Sequence, residues 1–100
     1  MLFKLYRITY SSKIPENTRF DDFQKFYEEN GVTVVGGWVN VEKTNELFFM
    51  TGYKDEEHYN SFIAEMKENT RYQELTEQLS GDRESIDVTT LQSVSDIPSG

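Results

Sequence analysis

The sequence predicts a single α+β domain built on a four-stranded antiparallel sheet, and three observations carry that reading. One hundred residues are enough for one domain and one modest core. Segments rich in aromatic and β-branched residues alternate with helical stretches in the order strand, helix, strand, strand, helix, strand. The two middle strands are joined by only a short turn, as a hairpin requires.

Leu2 to Tyr10 reads as the first strand, because it is aromatic and β-branched and lacks Gly and Pro. The following stretch, Ser11 to Asn17, reads as a loop, since Pro15 forces Ile14 into extended geometry. Asn17 or Thr18 caps a helix running to about Asn30. Phe20, Phe23, Phe26 and Tyr27 recur on one face of it, Asp21 and Asp22 complement the dipole in its first turn, and Asn30-Gly31 stops it.

The second strand is expected from Val32 to Glu42, with Gly36-Gly37 marking a bulge or a close approach. After the turn Glu42-Lys43-Thr44-Asn45, Leu47 to Tyr53 forms the third strand. Asp55 caps the second helix, whose apolar stripe is Tyr59, Phe62, Ile63 and Met66. The stripe resets near Asn69-Thr70, which predicts a break and a shorter helix carrying Tyr72, Leu75 and Leu79 to about Ser80-Gly81. Ile86 to Val94 is the last strand. Residues 1–95 thus form the domain, and 96–100 a C-terminal tail. The β-α-β-β-α-β order is the ferredoxin-like one, with both helices on one sheet face.

The middle strands are apolar on both faces. Val34 and Trp38 are expected on one side of the second strand, with Val35, Val39 and Val41 on the other. In the third, Leu47, Phe49 and Tyr53 oppose Phe48 and Met50. Helices cover one face only, so a homodimer joined through the other is the simplest way to remove it from water. The alternative is that the first strand and the tail cover that face within one chain.

Composition excludes several classes. There is no cysteine, hence no disulfide framework and no thiolate metal site. A net charge of −8 with scattered basic residues argues against nucleic acid and anionic membranes as partners. No signal-peptide layout or long apolar run occurs, so the expected location is cytoplasmic. No phosphate-binding glycine loop and no nucleophile elbow is present.

The element order, the doubly apolar sheet and the broken second helix resemble the dimeric α+β barrel superfamily. Within it, the stretch from Gly37-Trp38 through Asn45-Glu46-Leu47-Phe48-Phe49-Met50-Thr51-Gly52-Tyr53-Lys54-Asp55 is similar to the NIPSNAP family, as is Asn69-Thr70-Arg71-Tyr72-Gln73-Glu74-Leu75 after the break. NIPSNAP-like strands often carry a His and a Trp-Arg pair before the Tyr, where this chain has Phe49, Thr51 and Gly52. Some related barrels bind haem through a histidine late in the second helix. Tyr72 to Thr76 has none, so no haem or other cofactor is expected. Other relatives are cofactor-free monooxygenases whose pockets use Trp, Tyr and Asn to orient an aromatic substrate.

These arguments leave Tyr6, Trp38, Asn40, His58 and Tyr72 as candidate ligand-binding residues, with Tyr53 and Tyr59 also available. Trp38 and Asn40 share a strand face. His58, the single histidine, lies in the first turn of the second helix, where an imidazole is usually solvated. No metal site is expected. Arg7, inside an apolar strand, must pair or reach solvent, and it is expected to pair with Asp87 on the last strand, with anchoring of an anionic ligand as the alternative. The resulting expectation is a NIPSNAP-like barrel that binds a small apolar or aromatic ligand between helices and sheet. The alternative is a cofactor-independent, antibiotic-biosynthesis-type monooxygenase acting on an aromatic substrate.

Overall fold

A computed structural model describes residues 1–15, 20–80 and 83–94. The expected cap at Asn17 or Thr18, the helix stop at Gly81 and the tail lie outside the described residues. The elements are β1 (Leu2–Tyr10), α1 (Phe20–Glu29), β2 (Thr33–Val39), β3 (Glu46–Tyr53), α2 (Glu56–Met66), α3 (Thr70–Ser80) and β4 (Arg83–Gln92). The sheet order is β2-β3-β1-β4, antiparallel throughout. This is the ferredoxin-like α+β arrangement.

Local chemistry explains the boundaries. Gly31 has φ 79°, and Gly31 N–H and Val32 N–H donate to the Glu28 and Tyr27 carbonyls at 3.1 and 2.9 Å. That pair of bonds closes α1 and buries Val32 against it. Asp55 accepts from His58 N–H at 2.8 Å and starts α2. Asn69 accepts from Tyr72 N–H at 3.0 Å, so the expected break is real and α3 begins with its own cap. At 11 residues α3 equals α2 in length, rather than being shorter.

The second strand ends three residues earlier than expected. Asn40 Oδ1 accepts from the Glu42 and Lys43 amides at 2.9 and 3.2 Å, folding the chain into the turn. The last strand is displaced toward the N-terminus, ending at Gln92 instead of Val94.

The double glycine does two jobs. The β2–β3 register shifts between Val34 and Gly36, so Val35 is an extra residue in a bulge. This corrects the expected faces. Val34 packs against the core, while Trp38, after the bulge, stands opposite Phe48 on the far side. The bulge also separates Val35 from Val39 in the alternation, and Val41 lies beyond the strand. A Cβ on Gly37 would come within 2.6 Å of Phe20 in α1, so only glycine lets that helix settle there.

The core sits between the helices and the sheet. Phe23, Phe26 and Tyr27 of α1 meet Tyr53 of β3, Phe62 and Met66 of α2 and Leu75 of α3. The third-strand alternation holds: Leu47, Phe49, Thr51 and Tyr53 share the helix side with Ile8, Tyr6, Lys4 and Leu2 of β1. The opposite face carries Phe3, Leu5, Phe48 and Met50, partly buried, and Trp38 and Leu91, exposed by 48 and 39%. Arg7 and Asp87 border this face and pair at 2.8 Å, the expected partnership rather than the anion-binding alternative.

Candidate functional site

A pocket of about 90 Å³ opens between α1, α3 and the sheet. That space holds several waters or part of a small organic molecule. β1 contributes Tyr6 and Ile8 to its wall, and α1 contributes Phe20, Phe23 and Tyr27. From α3 come Tyr72, Thr76 and Leu79, and from β4 Ile86. The lining is overwhelmingly apolar.

Phe49 of β3 is the hub of this wall. Its ring centroid lies 5.7 Å from Phe20 and 6.3 Å from Phe23, both edge-on, and 5.6 and 6.2 Å from Tyr27 and Tyr6. Edge-to-face contacts at these distances hold the rings in fixed orientations. The placement follows from sequence: Phe49 alternates with Thr51 and Tyr53 toward the helices, and Gly37 beside it leaves room for Phe20.

Tyrosine hydroxyls gather at the inner end. The Tyr6 phenol neighbours those of Tyr53, Tyr59 and Tyr72, and the Tyr27 phenol neighbours that of Tyr72. The buried Thr51 hydroxyl donates to the Tyr53 oxygen at 3.1 Å. Burial first, and then the neighbouring phenols, push the Tyr6 and Tyr27 hydroxyls well above the usual phenol range. Tyr53 is pushed up to about 12, chiefly by burial, with the Thr51 and Tyr6 hydrogen bonds working the other way. At neutral pH Tyr6, Tyr27 and Tyr53 are therefore neutral phenols.

The five sequence candidates separate. Tyr6 and Tyr72 line the pocket. Trp38 lies on the opposite sheet face. Asn40 does share that face, and its Nδ2 donates to Glu46 Oε1 at 3.0 Å, but its carbonyl serves the turn. His58 is held at the start of α2, with Nδ1 accepting from Lys54 N–H at 3.1 Å and the ring edge-on to Tyr53 at 5.6 Å. It is not part of the pocket lining. Phe20, Phe49 and Thr76 were not singled out as site residues from sequence. The Gly37–Phe49 cross-strand pair was the available signal for the first two, and nothing in the sequence marked Thr76. No group of three or more His, Asp or Glu among the described residues could hold a metal ion, and no helix is long and apolar enough to cross a membrane.

No family model and no curated protein matches the sequence. Solved structures do match in fold. A NIPSNAP domain protein from Burkholderia xenovorans superposes with TM-score 0.71 at 17% identity, over 98% of this chain and 99% of its own. A NIPSNAP family protein from Agrobacterium tumefaciens gives 0.64 at 18% identity, over all of both chains. An antibiotic biosynthesis monooxygenase gives 0.62 at 11% identity, over 95% of this chain and 100% of its own. The chain thus shares the ferredoxin-like α+β fold of NIPSNAP domain and antibiotic-biosynthesis-monooxygenase proteins.

Proposed function

We propose that the chain works as a homodimer joined through the open sheet face, and that each protomer binds a small apolar or aromatic molecule in the pocket between α1, α3 and the sheet. The observation that carries the binding reading is the pocket itself: concave, aromatic, and lined with few polar atoms. The dimer reading rests on the hydrocarbon surface of Phe3, Leu5, Trp38, Phe48, Met50 and Leu91. At about 25 cal/mol per Å², a patch of several hundred Å² on each protomer offers on the order of 10 kcal/mol or more of association.

A second reading, a cofactor-independent monooxygenase acting on an aromatic substrate, draws on the fold shared with an antibiotic biosynthesis monooxygenase and on the neighbouring phenols of Tyr6, Tyr53 and Tyr59. The Tyr6 and Tyr53 phenols stay protonated, and Trp38 and Asn40 are on the other face, so the binding reading leads. Oxygen uptake with a dihydroxynaphthalene as substrate separates the two.

Sedimentation velocity should give the dimer mass, and 1-naphthol should raise the melting temperature. Thr76 lines the pocket and donates its hydroxyl to carbonyls of its own helix at 3.0 and 3.1 Å. Thr76→Phe should fill the pocket and abolish the 1-naphthol shift. A monomer mass overturns the dimer, and undiminished binding by Thr76→Phe overturns the pocket.

A further inference from the structure

The helices leave one side of their own sheet face bare. On that face of β4, Ile86, Val88 and Thr90 stand beside Ile8, Tyr6 and Lys4 of β1. Ile86 lines the pocket, yet it and Val88 are 44 and 49% exposed. An apolar strip therefore runs from the pocket mouth along β4. It ends at a cation. Lys4 Nζ donates to Thr90 Oγ1 at 2.6 Å and lies 4.1 Å from the centre of the Tyr59 ring. Among the described residues it meets no carboxylate, although the chain carries a net charge of −8. Arg7, the other cation of β1, is already paired on the opposite face.

We propose that Lys4 and Thr90 form the head-group site for an amphipathic monocarboxylate whose apolar chain runs over Val88 and past Ile86 into the pocket. This rests on the pocket being a ligand site. The ammonium is held in place by the Tyr59 ring and the Thr90 oxygen, so little side-chain freedom is lost when a carboxylate arrives. Thr90 Oγ1 accepts from Lys4, which leaves its own O–H to donate to the same carboxylate. Thr90 lies four positions after Ile86 on β4, a span of about 13 Å, which suits a medium-chain carboxylate. Tyr59 neighbours the Tyr6 phenol and so joins the head site to the pocket wall.

The test is calorimetric titration of the full chain with decanoate and with its neutral amide, decanamide. The wild type should bind decanoate roughly tenfold tighter, as a charge-assisted hydrogen bond at a partly exposed site provides. Lys4→Met should bind both equally with the amide affinity unchanged, and Lys4→Arg should keep the preference. Equal wild-type affinities overturn the head site and leave the pocket standing. That is also the result if residues 95–100 or a second copy cover the strip. Failure of both ligands to bind overturns the pocket reading, and this inference with it.

Discussion

The two faces of one sheet solve opposite problems. Toward the helices, β1 and β3 present Tyr6, Phe49, Thr51 and Tyr53, and every buried hydroxyl there finds a partner. Away from the helices the same strands present Phe3, Leu5, Phe48 and Met50 with almost no hydrogen-bonding capacity. The covered face can afford polar atoms because three helices and neighbouring rings satisfy them. The open face is hydrocarbon that the described residues leave partly uncovered, bordered by an exposed ion pair. Polar decoration thus marks the face completed within the chain, and plain hydrocarbon marks the face that association would complete.

The largest expected contrast is in alkali. The Tyr6, Tyr27 and Tyr53 hydroxyls have folded-state values above the phenol reference near 10, so the fold holds these protons more tightly than the unfolded chain does. Their contribution to stability is complete below about pH 10 and is lost as pH rises through the folded values, about 12 for Tyr53. Tyrosinate absorbance should lag behind that of free tyrosine and then rise together with loss of helical circular dichroism. Early titration of these groups without unfolding would break the comparison.

Next in size is Leu75→Ala. Leu75 is fully buried among the core side chains, and truncation should cost about 3 kcal/mol in urea unfolding. Trp38→Glu tests the other face: it should leave the helical signal intact while weakening self-association by roughly 2 kcal/mol or more, read by sedimentation equilibrium.

The adjacent glycines sharpen the contrast within a single strand. Gly37→Ala places a methyl 2.6 Å from Phe20 and should cost about 1–3 kcal/mol, because that ring is wedged against Phe49. Gly36→Ala meets only the far edge of the Trp38 ring at 2.9 Å, on the open face, where the ring can swing aside. Its cost should stay below about 1 kcal/mol. The smallest effect belongs to Arg7→Ala, which should leave the thermal midpoint of a monomeric variant unchanged, since both partners are half-exposed.

Much of this architecture is written locally. The first strand, Leu2–Tyr10, is a run of aromatic and β-branched residues. The cap at Asp55, the break at Asn69 and the stop at Gly31 each depend on one side chain or one φ angle, so the sequence by itself determined the element order, most boundaries and the doubly apolar sheet. It named Asp87 as one possible partner of Arg7 but left an anionic ligand open, and the cross-strand register of β1 and β4 decided between them. The side on which Trp38 stands was decided only in three dimensions. One extra residue in the Val34–Gly36 bulge moves everything after it relative to Val34. The meeting of Tyr6, Tyr27, Tyr53, Tyr59 and Tyr72 from five elements, and the strip on β4 that the helices leave bare, arise from long-range packing. Residue periodicity assigns side chains to faces of single elements, whereas the placement of helices over a sheet depends on contacts between residues tens of positions apart, which no local pattern records.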